Sequence, residues 1–199
     1  MRDRGGSDVH LIMTGQTPQL RLAAVLSSAG PREAPKKGCD MSDQLKMLVA
    51  QGLQAMQAGS EVAKRATAEI QDDANDAGLK SALEAGNKTA EQWAKRIQDA
   101  IGETGPFEDT GNLILEAHYD VSKKIRQKTS DAASRDLGII AAGQLALHYW
   151  IAAFGTLRTY SAKLGMVGVQ GSMQACLDEA RQADQRHTEL AQKIMGAGA

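Results

Sequence analysis

The sequence predicts an all-α fold: an antiparallel four-helix bundle with one additional helix. Three observations carry that expectation. The 199-residue chain has seven aromatic residues and four prolines, fewer than a β-sandwich normally uses. Alanine, Gln, Lys, Glu and Leu dominate, and all are strong helix formers. Apolar residues recur at spacings of three and four along extended segments, and short breaker clusters separate those segments. Long helices with short connections pack antiparallel.

Charge and composition narrow the function classes. Lys and Arg number 23 against 24 Asp and Glu, a net charge of −1. A general nucleic-acid binder needs a basic surplus to displace counterions, so none is expected. The mostly apolar runs Leu20–Leu26 and Leu137–Leu147 fall short of the roughly 20 residues that span a bilayer, and no membrane partner is expected. Cys39 and Cys176 lie far apart in different contexts, which argues against a disulfide framework or a zinc knuckle.

Residues 1–40 stand apart. They contain no aromatic residue and three of the four prolines, and carry +2 against −3 for the rest. Such a segment cannot bury enough surface to offset its ordering entropy, so it is read as a disordered N-terminal extension. A signal peptide fits less well. Leu20–Leu26 is short and far from the start, and Asp3 and Asp8 interrupt the basic region. Met41-Ser42-Asp43 opens well as a helix, so the native start is expected at Met41, with residues 41–199 forming the bundle.

Ser42 or Asp43 is expected to cap a first helix ending near Ala74, with Leu45, Leu48, Val49, Leu53, Met56, Val62 and Ile70 on its apolar side. Gly52 and Gly59 each weaken it by about 1 kcal/mol relative to Ala. Asp72–Asp76 is a turn. A second helix follows from Ala77 to Ile101, built on Leu79, Leu83, Ala90, Trp93, Ala94 and Ile97, with Gly102 just past its end. Gly105-Pro106 breaks the chain. The third helix, Thr110 to Lys128, carries Leu113, Ala117, Val121 and Ile125 on one side. Its basic end, Lys123–Lys128, suits the helix dipole and reads as a solvated terminus. Ser130 caps a fourth helix from Asp131 to Lys163, roughly 50 Å long and apolar enough to sit mid-bundle. Leu137, Ala141, Gln144, His148, Ile151 and Gly155 share a face expected to point inward. Gly138, Gly143 and Gly155 permit a close helix neighbour. The fifth helix, Val169 to Met195, turns Met173, Cys176, Leu177, Ala180, Asp184, His187 and Ala191 inward.

Metal chemistry is the first to test in such a bundle. A two-iron carboxylate centre needs one Glu on each of two helices and Glu-x-x-His on each of the other two. Carboxylates are hard donors that bridge two ions, and the i, i+3 spacing puts both ligands on one face. No Glu-x-x-His occurs. Glu116 and His118 diverge by about 160° on a helix. Asp184-x-x-His187 has suitable spacing but stands alone, and no acid flanks His148 at 144, 145, 151 or 152. His148, Asp184 and Gln144 are therefore expected as a hydrogen-bonded polar set in the core. Cys176, between Met173 and Leu177, reads as a core residue with nothing to lower its pKa. Gly165–Gly168 lacks the surroundings of a phosphate loop.

The fourth helix also carries a resemblance. Arg135-Asp136, Ile140-Ala141-Ala142, Gln144, His148-Tyr149, Ile151-Ala152, Phe154-Gly155-Thr156-Leu157-Arg158 resembles the ferritin-like proteins of the YciE/YciF type. Glu91 and Arg96 of the second helix, and Leu177-Asp178-Glu179-Ala180 through Thr188-Glu189-Leu190 of the fifth, are similar to the same family in order and spacing. The resemblance covers residues 45–195. It implies metal-ligand positions that this chain fills otherwise: Leu147 and Trp150 flank His148-Tyr149, Ala180 stands in the fifth helix, Gly86 and Thr89 in the second, and Ser60 in the first. Only His148 and Asp184 survive, too few to hold two ions. Trp150 is expected to fill much of the vacated volume.

The leading expectation is a non-enzymatic, metal-free ferritin-like bundle acting through protein interaction or oligomerisation, with no cofactor. The resemblance further implies a cytoplasmic, bacterial, stress-associated homodimer. Two alternatives stand beside it. One is an enzyme, an iron- or manganese-binding bundle with oxidase-type activity, its ligands drawn from Glu61, Glu84, Glu91, His148, Asp184 and His187. The other is a small-molecule-binding bundle with an internal pocket around His148, Tyr149 and Trp150.

Overall fold

The computed structural model describes residues 40–108 and 111–197. The expected N-terminal extension up to Cys39, and Thr110 at the expected start of the third helix, lie outside the described residues. Five helices follow in order: α1 (Met41–Asp73), α2 (Ala77–Thr104), α3 (Leu113–Lys128), α4 (Ala132–Lys163) and α5 (Val167–Ala197). No strand occurs among the described residues.

Capping explains where most helices begin. Asp40 precedes α1, so Ser42 and Asp43 lie inside the first turn and do not cap it. The Asp76 carboxylate accepts the backbone N–H of Leu79 at 2.9 Å, and the Asn112 amide oxygen accepts that of Leu115 at 3.1 Å. Asp131, not Ser130, caps α4 by accepting the Ser134 N–H at 2.7 Å. Helix α2 runs past Ile101 because Gly105, not Gly102, takes the left-handed conformation, with φ 85°. Gly165, with φ 71°, stops α4, and the chain re-enters a helix at Val167, two residues earlier than expected.

Cross-helix contacts fix the topology. Gln71 meets Asn87, Gly52 lies against Leu157, Trp93 meets Glu179 and Arg158 meets Gln174. Each pairing runs antiparallel, so α1, α2, α5 and α4 form a ring of four neighbours. Helices α2 and α4, consecutive long helices of the ring, therefore point the same way and need a crossover between them. The short α3 supplies it, lying in the groove between α1 and α4. Asn112 ties it to α1 by donating to the Ala55 carbonyl at 2.9 Å, and to α4 by donating to the Tyr149 hydroxyl at 2.7 Å.

The main core joins Leu53, Met56, Trp93, Ile97, Trp150, Phe154, Met173 and Leu177. A second cluster, with Leu79, Ile139, Ile140 and Ile194, closes the end near the α1–α2 turn. The α4 face differs from the one the sequence predicts. Asp136, Ile139, Ile140, Ala142, Trp150, Phe154, Leu157 and Ser161 are buried, whereas Ala141 and His148 are exposed. Helix α4 is apolar nearly all round, so periodicity alone does not select its inward side. Its apolar character also runs beyond Leu147. By length and composition α4 is the one described helix that meets the requirement for crossing a membrane. Here it is packed against α1, α3 and α5.

Two glycines make opposite predictions. A Cβ on Gly59 would stand 2.7 Å from Asn112 Nδ2 and 2.8 Å from a Leu115 methyl, whereas a Cβ on Gly86 would meet nothing within 4 Å. Gly59→Ala should lower stability by about 1–3 kcal/mol, the usual cost of overpacking. Gly86→Ala should raise it by up to about 1 kcal/mol through helix propensity. Urea unfolding of both variants checks the opposite signs.

Candidate functional site

Where the long helices converge with α3 they leave a cavity of about 250 Å³. Small residues make the space: Ala63 and Ala66 on α1, Gly86 on α2, Ala142 and Ala146 on α4, and Ala183 on α5. Large residues bound it. Trp150 stacks on Phe154 with ring centroids 5.5 Å apart, Trp93 meets the Phe154 edge at 5.2 Å, and Trp93 lies 6.0 Å from Trp150. This cluster bridges α2 and α4 diagonally across the ring. Each such pair contributes about 0.5–1.5 kcal/mol beyond its buried area.

The polar groups on the wall face mostly into the protein. His118 Nε2 lies 2.7 Å from the Ala142 carbonyl. Thr67 donates to the Ala63 carbonyl and Thr89 to that of Ala85. The Tyr119 hydroxyl donates to Glu69. Glu179 accepts the Trp93 indole N–H at 2.7 Å and both terminal nitrogens of Arg96 at 2.7 and 3.0 Å. The Arg96 guanidinium, then the Trp93 N–H, hold the Glu179 carboxyl below its ordinary 4.5 against the opposing effect of burial. Cys176 lies 3.7 Å from Arg96 Nη1, a neighbour the sequence did not reveal. Burial still prevails and pushes its thiol up to about 11, leaving it protonated and inert near neutral pH.

The positions at which the resemblance implies ligands divide. Gly86, Thr89, Leu147 and Trp150 line the cavity. Ala180 is buried in the core, and Ala183, nearly one turn on, reaches the wall instead. Ser60 sits in an outer α1–α2 groove with Glu61 and Glu91, its hydroxyl donating to the Met56 carbonyl. The α1 wall is Val62, Ala63 and Ala66, two to six residues beyond Ser60.

The remaining candidates do not converge. Glu84 pairs with Lys88 at 2.9 Å on the exposed side of α2. His187 Nδ1 lies 2.8 Å from the Ala183 carbonyl. His148 and Asp184 do meet, at 3.4 Å, and Gln144 donates to Asp184 at 3.3 Å. The set is not in the core, however: the His148 side chain is 66% exposed. It rides the α4–α5 seam because the neighbouring Trp150, two residues on, takes the inward direction. The cavity encloses Trp150 but is not lined by His148 or Tyr149. Among the described residues no three His, Cys, Asp or Glu side chains form a group suited to a metal ion. Glu179 is the one carboxylate on the wall and already has three donors, so the donor set does not fit a two-metal centre.

Two structural residues escaped the sequence reading. Buried Asp136 accepts the backbone N–H groups of Asn75 at 2.8 Å and Asp76 at 2.7 Å, pinning the α1–α2 turn to α4. Arg126, inside the basic run expected to be solvated, is buried against Ser122, Asp73 and Glu69. Apart from Ser122, one turn from Arg126, their partners lie dozens of residues away, so no local spacing signals them.

Fold and site together define an all-α four-helix bundle with one additional helix and an apolar centre. A model described as "Domain of unknown function (DUF892)" matches residues 44–199, and the chain belongs to that family. Protein YciF of Escherichia coli (strain K12) is 30% identical over 79 residues, covering 40% of this chain and 48% of YciF. The match thus spans about half the length of that relative. The crystal structure of the E. coli stress protein YciF superposes with a TM-score of 0.72 at 21% identity, over 76% of this chain and 97% of the other. YcfI of Rhodopseudomonas palustris gives 0.69 at 18% identity, over 78% and 97%. At these identities the structural likeness establishes the fold.

Glu179→Gln should lower stability near neutral pH by roughly 1–2 kcal/mol, since hydrogen bonds to a charged group are lost at a partly exposed site. Because the folded pKa is depressed, the wild-type increment is present above about 4.5 and lost as pH falls through the folded value. Unfolding measured from neutral pH down to the acid range should show the two proteins converging.

Proposed function

We propose that this chain is a non-enzymatic DUF892 bundle that works without a two-metal centre, through protein contacts and self-association as a cytoplasmic homodimer. One observation carries the reading. The cavity wall presents carbon or a hydroxyl at Gly86, Thr89, Leu147 and Trp150, where the family resemblance implies ligands. Carbon supplies no lone pair, and Thr89 offers a neutral hydroxyl in place of the charged carboxylate that a two-metal centre needs.

An exposed apolar strip supports self-association. Ile114 and Val121 on α3, and Leu145 on the adjacent α4, are each more than half exposed. An isologous dimer would cover this strip on both copies at once. The near-neutral net charge of −1 offers little repulsion to such pairing. The likeness to YciF, a stress protein of E. coli, supports a stress-associated setting for this chain as well.

Elemental analysis of protein purified without chelators, beside sedimentation velocity, tests the reading. The expected result is iron, manganese and zinc far below one ion per chain, and a dimer that Val121→Glu dissociates. Stoichiometric metal inside the bundle would instead support the oxidase-type alternative.

A further inference from the structure

The central cavity is too large to be a packing defect and too apolar to be a water site. Its volume of about 250 Å³ exceeds the roughly 150 Å³ that accommodates benzene in a leucine-lined cavity. Ala63, Ala66, Ala146, Leu147, Trp93 and Trp150 surround it with carbon. The hydroxyls, His118 and Glu179 on the wall already hold protein partners. Water needs two or more polar partners to be stable in such a space, whereas a hydrocarbon needs none.

The cavity has a mouth, and its chemistry differs from that of the interior. Exposed Ala85, Gly86 and Arg186 are among the lining residues, so the space opens between α2 and α5. Nothing stands within 4 Å of a Cβ built on Gly86, which leaves the entrance clear. Among the described residues Arg186 engages its Nε alone, with the Gln182 carbonyl at 3.3 Å, so its terminal nitrogens remain for an anion. His187 turns Nδ1 to its own helix and so presents Nε2 toward α4, 3.3 Å from where a Gly143 Cβ would sit.

We propose that this cavity binds a medium-chain carboxylic acid, its hydrocarbon tail against Trp93 and Trp150 and its carboxylate at Arg186. The proposal rests on the metal-free reading above, since ions at the centre would occupy the same space. A capacity of about eight carbon units follows if each takes the roughly 30 Å³ of a water-sized group in a liquid. An anionic head beside Arg186 is a charge-assisted contact at the only arginine on the wall.

Both tryptophans of the chain border the cavity, which gives a direct readout. ω-Bromooctanoate, whose bromine quenches indole on contact, should quench tryptophan fluorescence saturably. Unbrominated acids should displace it, each added methylene binding about fourfold tighter until the cavity is full and no tighter beyond. Gly86→Phe, placed at the open mouth, should abolish saturable quenching while keeping wild-type helicity. Arg186→Gln, on an exposed position, should weaken octanoate about tenfold and leave octanol unchanged. Quenching that never saturates, or that survives Gly86→Phe, overturns the proposal. Metal content measured on the same sample separates the two failures. Bound ions would refute the metal-free reading, and ion-free protein without saturable quenching would refute the ligand site alone.

Discussion

The diagonal contact between Trp93 and the Trp150–Phe154 pair is the interaction on which the rest of this structure depends. In a four-helix ring, neighbours touch through their backbones' side-chain ridges, but diagonal partners need something long to reach across the axis. Ions bridged by carboxylates are one solution. Here three aromatic rings span the axis from α2 to α4 with centroid separations of 5.2–6.0 Å. Rings are rigid and cannot fill space of every shape, so the small residues beside them leave a void on one side of the cluster. Apolar bridge and cavity are thus two results of the same choice of side chains.

The charged groups of this molecule that hold the helices together lie at the seams. Glu179 joins α5 to Arg96 and Trp93 of α2, Arg126 joins α3 to Asp73 and Glu69 of α1, and Asp136 of α4 holds the α1–α2 turn. Each carboxylate or guanidinium links elements distant in sequence and keeps several hydrogen bonds, which is the condition for burying charge without a large penalty. Glu179 shows the boundary between the two regimes. It borders the cavity, yet its donors come from the seam, so it stabilises the wall rather than offering lone pairs to the interior.

The fold was legible because helix-length periodicity and breakers are local. Asp76 and Gly165 mark boundaries through their own backbone chemistry. The orientation of α4 was not legible: Leu137, Ile140, Leu147, Ile151 and Phe154 surround it with carbon, and only contacts with three neighbours decide which of them go inward. His148 was misplaced for that reason. In the site, the resemblance singles out Gly86, Thr89, Leu147 and Trp150, and all four line the cavity. On α1 it points to Ser60, whereas the wall there is Val62, Ala63 and Ala66, and nothing in the α1 sequence fixes that register. Asp136 and the carboxylate partners of Arg126 meet their counterparts across dozens of residues and leave no local trace.

Diffraction from a xenon-pressurised crystal decides whether the centre of the bundle is an apolar void. Xenon enters apolar cavities and gives an anomalous signal. An ordered xenon is expected among Ala66, Ala146, Leu147 and Trp150. A cation coordinated at that position, or a hydrogen-bonded water cluster that excludes the gas, would contradict it.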